Sequence, residues 1–183
     1  MEDYAYVLDY LPEGRPSSKD YQHESIILAL GKDEFKLFEL IPKEGKNFLV
    51  GDKVYIGKDM DKREKIKHVK NRISWEKLTN AAKSEVPYIV EDIIDGEEER
   101  FLEFYNKAHP ITKKYHMLEL LPGLGKKKMK TIIDDRKKNG DFDSFDELQE
   151  RVPMVHKPKK MIKDRIIEEL KNKDIKYRVW VAE

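Results

Sequence analysis

The sequence predicts an α+β fold: a small β-barrel at the N-terminus, then helices, then a C-terminal unit of four helices. Three observations carry this reading. Residues 1–75 hold five strand-like segments divided by turn residues. From residue 76 the apolar spacing changes from every second residue to every third or fourth. A turn near residue 122 then recurs, with altered residues, 31 positions later. The boundaries that follow are 1–75 for the barrel, 76–110 for a helical connector, and 111–183 for the helical unit with a short C-terminal strand.

The strands come in order. Tyr4, Tyr6, Leu8 and Tyr10 alternate with Ala5, Val7 and Asp9, and a polar loop with Pro12, Gly14, Pro16, Ser17 and Ser18 follows. Strands are expected at His23–Leu30, Phe35–Ile41, Asp52–Ile56 and Lys65–Ile73, with turns at Gly31-Lys32-Asp33 and at Pro42 to Gly45. Five strands in so short a stretch suggest a closed barrel, of the OB type first and the SH3 type second. OB barrels commonly present one face to single-stranded nucleic acid.

In the connector, Trp75, Leu78, Ala81 and Ala82 share a helical face, and Ile89, Ile93 and Ile94 continue it, with Pro87 expected to break or start a helix. Asp95 reads as an N-cap, with Glu97, Glu98 and Glu99 in the first turn, where the helix dipole favours negative charge. Phe101, Phe104 and Tyr105 form that helix's buried side, and His109-Pro110 ends it.

In the last region Met117, Leu120 and Leu121 precede a turn, and Met129, Ile132, Ile133 and Arg136 follow it at helical spacing. A shift of 31 residues lays Pro122 on Pro153, Leu124 on Val155 and Lys126 on Lys157, while Met154 and His156 replace the two glycines. Gly140 closes one helix, Ser144 with Glu147 makes a capping box opening the next, and Pro158 suits the first position of the last. One working turn and one mainly structural copy are expected. Tyr177, Val179 and Val181 alternate with Arg178 and Trp180, which suggests a final strand.

Composition narrows the function. Charged residues make up 40% of the 183-residue chain, and the net charge is +1. Its distribution is uneven: balance over 1–75, an excess of three acidic residues over 76–117, and an excess of four basic residues over 118–183. There are no cysteines, which removes disulfides and thiolate metal sites and fits a cytoplasmic protein. No apolar run approaches the roughly 20 residues of a membrane span, and no signal-peptide pattern opens the chain. His23, His68, His109, His116 and His156 lack metal-ligand spacing, and the acids Glu91, Asp92, Asp95, Glu97, Glu98, Glu99 and Glu103 read as charged helix termini. With no nucleophile elbow, P-loop or supported acid/base pair, the chain reads as non-enzymatic and without a cofactor.

The richest segment is Leu120-Leu121-Pro122-Gly123-Leu124-Gly125-Lys126-Lys127-Lys128. Glycines on both sides of one apolar residue let the backbone turn sharply and lie close to a partner. The lysines open a helix whose first amides have no partner inside it and favour anions. The candidate phosphate contacts are Gly123, Leu124, Gly125, Lys126, Lys127, Lys128 and Lys130. A second basic run crosses the last barrel strand, with Lys65, Lys67, Lys70 and Arg72 as candidate contacts and Tyr4, Tyr6 or Tyr55 as stacking platforms.

The segment from Leu118 to Arg136 resembles the helix-hairpin-helix of competence and repair DNA-binding proteins, and Phe142 to Leu148 continues that resemblance into a tandem form. Met129 stands where such motifs usually place alanine. The whole chain, a short barrel with Gly51-Asp52-Lys53-Val54-Tyr55-Ile56-Gly57 joined to this tandem unit, resembles an archaeal family of unknown function that is generally predicted to bind nucleic acid. The resemblance implies a non-enzymatic protein that grips phosphate backbone, RNA ahead of DNA, through the hairpin at 122–128 with the barrel as a second contact. Two other readings stay open: a metal-dependent repair or nuclease component, and a protein-interaction scaffold.

Overall fold

The computed structural model describes residues 1–16 and 24–183. Ser17, Ser18 and His23, assigned above to a loop and a strand start, lie outside the described residues. The chain divides into two compact units, one of 1–89 with 169–183 and one of 90–168. These boundaries differ from those placed at 75 and 110, because two long helices each contribute residues to both units.

In the first unit β1 (Tyr4–Leu11), β2 (Ile26–Gly31), β3 (Leu37–Pro42), β4 (Lys53–Tyr55) and β5 (Ile66–Ile73) form one antiparallel sheet. Its order is β4-β1-β2-β3-β5, and it curls into a half-barrel. The closed barrel expected from the strand count is therefore corrected: β4 and β5 are the two edges and share no ladder. Arg63 spans the gap instead, donating from Nε to the Gly57 carbonyl at 2.8 Å and from Nη2 to the Ile56 carbonyl at 2.9 Å. The core holds Ala5, Val7, Ile27, Ala29, Leu40, Phe48, Val54, Ile56 and Ile66.

Alternation in β1 is real, but its buried face carries Ala5 and Val7 while Tyr4 and Tyr6 point away from it. A bulge between Val7 and Asp9 then turns Leu8 inward as well, which a strict period of two does not foresee. β2 is buried at all six positions, as a central strand covered on both faces is. The following turn is shaped by a buried carboxylate. Glu2 accepts from the Asp33 and Glu34 amides, each at 2.7 Å, and a Cβ at Gly31 would fall 2.1 Å from its Oε1. Glycine at 31 is the space that carboxylate needs, and β3 begins only at Leu37, after Phe35 takes a positive φ of 51°.

The helices are α1 (Asn80–Gly96), α2 (Glu98–Lys107), α3 (Lys126–Asn139), α4 (Phe145–Arg151) and α5 (Pro158–Lys171). α1 runs through Pro87 without ending there, a correction to the expected break. Asp95 lies inside α1, and the N-cap of α2 is Glu97, with Glu98 and Glu99 in its first turn. A short hairpin absent from the sequence reading, β6 (Pro110–Thr112) and β7 (Tyr115–His116), follows α2. It leads into a single 3-10 turn at Met117–Leu120, where the apolar spacing suggested a longer helix. The helical unit thus has α3, α4 and α5 with a 3-10 turn in place of four full helices.

Ser144 accepts from the Glu147 amide at 2.9 Å as the capping box requires, while Glu147 reaches back one residue further, to the Asp143 amide at 2.7 Å. The final strand does not form. The Val179, Trp180 and Val181 amides donate to the buried Glu169 carboxylate at 2.9–3.0 Å, which removes them from any ladder. Among the described residues no helix is long and apolar enough to cross a membrane.

Candidate functional site

The glycine-flanked turn sits on two buried leucines. Leu121 and Leu124 are 2% and 3% exposed, and the Leu124 amide donates to the Leu121 carbonyl at 3.1 Å. Between them Pro122 and Gly123 face solvent. Gly123 has φ +81°, a left-handed conformation that glycine reaches at little cost and a branched side chain does not. Gly125 is the extended N-cap of α3, and a Cβ there would meet nothing within 4 Å. The first helical bond runs from the Met129 amide to the Gly125 carbonyl at 3.0 Å, so the amides of the three lysines before it lack intrahelical acceptors.

Lys126, Lys127 and Lys130 are exposed and, among the described residues, make no ion pair. Lys128 differs. It is half-buried, and its Nζ donates to the Gly123 carbonyl at 3.1 Å, so it braces the turn from inside. α3 also has no acidic residue in its first turn. Positive charge and open amides therefore share one surface, with no acidic residue in the first turn of the helix and the neighbouring Glu119 turned to the His116 amide.

The copy 31 residues later keeps the buried anchors but not the whole backbone path: Lys157, rather than Met154, takes the positive φ, 53°. The Val155 amide donates to the Val152 carbonyl at 3.0 Å, and both side chains are fully buried. Lys157 is exposed and makes no ion pair among the described residues, but the next three lysines are held. Lys159 meets Asp95 at 2.7 Å and Glu91 at 3.6 Å, Lys163 meets Glu91 at 2.9 Å, and Lys160 meets Asp164 at 2.5 Å. Lys163 draws the Glu91 carboxyl below its usual range, and the Asp95 contact raises Lys159. The acids of α1 thus pair with Lys159 and Lys163 of α5, across a cleft of about 450 Å³.

The turn is anchored to its unit by polar contacts. Arg136 of α3 donates to the Tyr105 carbonyl at 2.8 Å and the Ala108 carbonyl at 3.1 Å, satisfying the end of α2. Asn106 exchanges two 2.8 Å bonds with the Phe142 backbone. The Tyr105 hydroxyl donates to the Pro158 carbonyl at 2.7 Å, and burial pushes that phenol well up.

His116 caps the 3-10 turn. Its Nδ1 accepts from the Leu118 amide at 3.1 Å, and Glu119 accepts from the His116 amide at 2.8 Å. Burial, reinforced by Arg136, lowers the imidazole pKa below its ordinary 6.5. Between the native value and about 6.5 the unfolded chain holds a proton that the native chain does not, so stability falls as pH drops through that window. Urea midpoints measured at about pH 7.5 and about pH 5.5 should show this loss, and His116→Asn, which keeps a capping oxygen, should reduce it.

The barrel candidates are more occupied. Lys65 meets Asp52 at 3.6 Å and lies over Phe48, Lys70 meets Glu24 at 3.2 Å, and Arg72 donates to the Ala182 carbonyl. Of this set Lys67 makes no ion pair among the described residues. Tyr4 and Tyr55 stand edge to face at 5.3 Å, with Lys53 over the Tyr4 ring, so these rings are not core. The sequence reading missed Lys113 and Lys114, at the tip of the β6–β7 hairpin beside Lys126. Ile111, Thr112 and Tyr115 are suited to strands, but three residues and two are too few to register as a period.

Residues 1–182 match a family model described as a protein of unknown function (DUF655). The chain belongs to that family. Among its relatives is the uncharacterised protein MJ0038 of Methanocaldococcus jannaschii, 44% identical over 182 residues, covering 99% of this chain and 80% of that protein. The crystal structure of Af1531 from Archaeoglobus fulgidus, described with the same family, shares 44% identity and a TM-score of 0.90. It covers 99% of this chain and all of the other. DUF655 relatives thus occur in archaea, and their names assign no activity.

Proposed function

We propose that this DUF655 protein is a non-enzymatic nucleic-acid-binding protein, with RNA ahead of DNA, that grips phosphate backbone through a helix-hairpin-helix at 122–128. The carrying observation is the contrast between the two turns. Both rest on a pair of buried apolar anchors, yet the lysines of the first make no ion pair among the described residues. By contrast, Lys159 and Lys160 in the first turn of α5 and Lys163 in its second are bound to acids, and only Lys157 of the second turn stays exposed without an ion pair among those residues. In this reading the Gly123–Gly125 segment brings backbone amides to a phosphate, Lys126, Lys127 and Lys130 add charge, and Lys128 holds the turn in shape. Phosphate contacts position a protein and carry no sequence information, so this module has little sequence preference.

The half-barrel, read as OB-type, supplies a second contact centred on Lys67, with Lys65, Lys70 and Arg72 recruited at the cost of their present partners. Two modest contacts on one chain raise effective concentration and so add in affinity. The order of targets rests on the whole-chain resemblance to a family generally predicted to bind nucleic acid, with an RNA role suspected, since amides and lysines meet phosphate in both nucleic acids.

Binding to RNA and DNA at graded salt tests this. Three to five contacts give a log–log slope of about −3 to −4.5 on duplex and a somewhat shallower one on single strands. Indifference to both polymers in dilute buffer would refute the proposal. RNA or DNA cut in magnesium or manganese, with loss of cutting in Asp92, Asp95 and Glu98 variants, would favour the nuclease reading instead.

A further inference from the structure

The hairpin that the sequence concealed lies in the same unit as the glycine turn and is tied to it. The Met117 amide donates to the His109 carbonyl at 3.0 Å, closing the hairpin base, and the Lys114 amide donates to Thr112 Oγ1 at 3.2 Å, shaping its tip. The His116 cap and its Glu119 return bond then join β7 to the 3-10 turn that precedes Leu121. Hairpin and helix are therefore held around an open groove of about 390 Å³. That volume lies within the roughly 300–1,000 Å³ typical of small-molecule sites.

The lining divides by chemistry. Lys113, Lys114 and Lys126 stand around it, exposed and without an ion pair among the described residues, while Tyr115 and Met129 offer a half-buried, largely apolar wall. The acidic lining residue, Glu119, is turned to the His116 amide. A cationic rim over an aromatic and thioether wall suits a group that is anionic at its ends and flat in the middle.

We propose that this groove seats one unpaired nucleotide of a single-stranded nucleic acid, its base against Tyr115 and Met129 and its flanking phosphates on Lys113, Lys114 and Lys126. Bases in a duplex are stacked and present only their edges, so a wall of this kind discriminates in favour of single strands. The proposal rests on the functional reading above and adds strand state to it. It also gives Met129, which stands where helix-hairpin-helix motifs usually place alanine, a role in a binding wall.

The test uses the full chain, oligouridine and a blunt RNA duplex of random sequence. Lys113→Glu with Lys114→Glu should lower affinity for oligouridine about tenfold more than for duplex, and Tyr115→Leu should do so with no change in charge. Iodouracil-substituted oligouridine should photocrosslink to the peptide holding Tyr115. Equal loss on both polymers, no loss in a variant that unfolds like the parent, or crosslinks confined to other peptides would each overturn the groove. If Lys126→Glu with Lys127→Glu still weakens binding while the hairpin variants do not, the groove alone fails. If neither set weakens it, the functional reading fails with it.

Discussion

Replacing Lys126, Lys127 and Lys130 together by glutamate is expected to weaken RNA binding at least tenfold and to flatten its salt dependence. Each lost phosphate contact makes the log–log slope shallower by about 0.7 on single strands and about 0.9 on duplex. The three side chains are exposed and unpaired among the described residues, so their reversal leaves the core and the Leu121–Leu124 frame in place. A thermal midpoint near that of the parent would confirm this. Lys137→Glu with Lys138→Glu, at the other end of α3, is the control for Lys126→Glu with Lys127→Glu and should cost much less than that pair. Gly123→Val would be a poorer probe, since at φ +81° a branched side chain strains the backbone whatever the partner does.

The largest stability effect is expected at Glu169. Its carboxylate, 1% exposed, receives the amides of Val179, Trp180 and Val181. Hydrogen bonds to a charged acceptor contribute about 1.5–3 kcal/mol each, so Glu169→Ala should cost about 3 kcal/mol or more in urea unfolding. The three amides should lose exchange protection, and the emission of the half-buried Trp180 should shift to the red. Glu169→Gln, which keeps one acceptor oxygen, should fall between. Unchanged protection of Val179 to Val181 in Glu169→Ala would contradict the role given to this carboxylate.

These two sites also mark how far the sequence could be read. The glycine turn was legible because its signals are local: two glycines, a following run of lysines, and apolar anchors repeated at Val152 and Val155. The five strands were legible for the same reason. What escaped depends on distant partners. Alternation at 177–181 is a fair strand pattern, but a buried carboxylate ten residues earlier takes the amides a strand would need. The open edges of the half-barrel depend on which strands pair, with β4 and β5 left without a ladder between them, and no periodicity announces that. Lys128 looked equivalent to its neighbours and is instead a brace, because one helical step of rotation turns it toward the Gly123 carbonyl. The pairing of Lys159 and Lys163 likewise depends on Glu91 and Asp95, more than sixty residues from the lysines they hold.

The central claim is that bare amides at the start of α3 meet phosphate. Titrating the isotopically labelled protein with oligouridine and following each backbone amide by NMR tests it most directly. The account predicts progressive shifts at Gly123, Leu124, Gly125, Lys126 and Lys127, with the amides of Met154 to Lys157 in the second turn staying nearly still. Binding that leaves the first group unmoved, or that moves the second group instead, would contradict it.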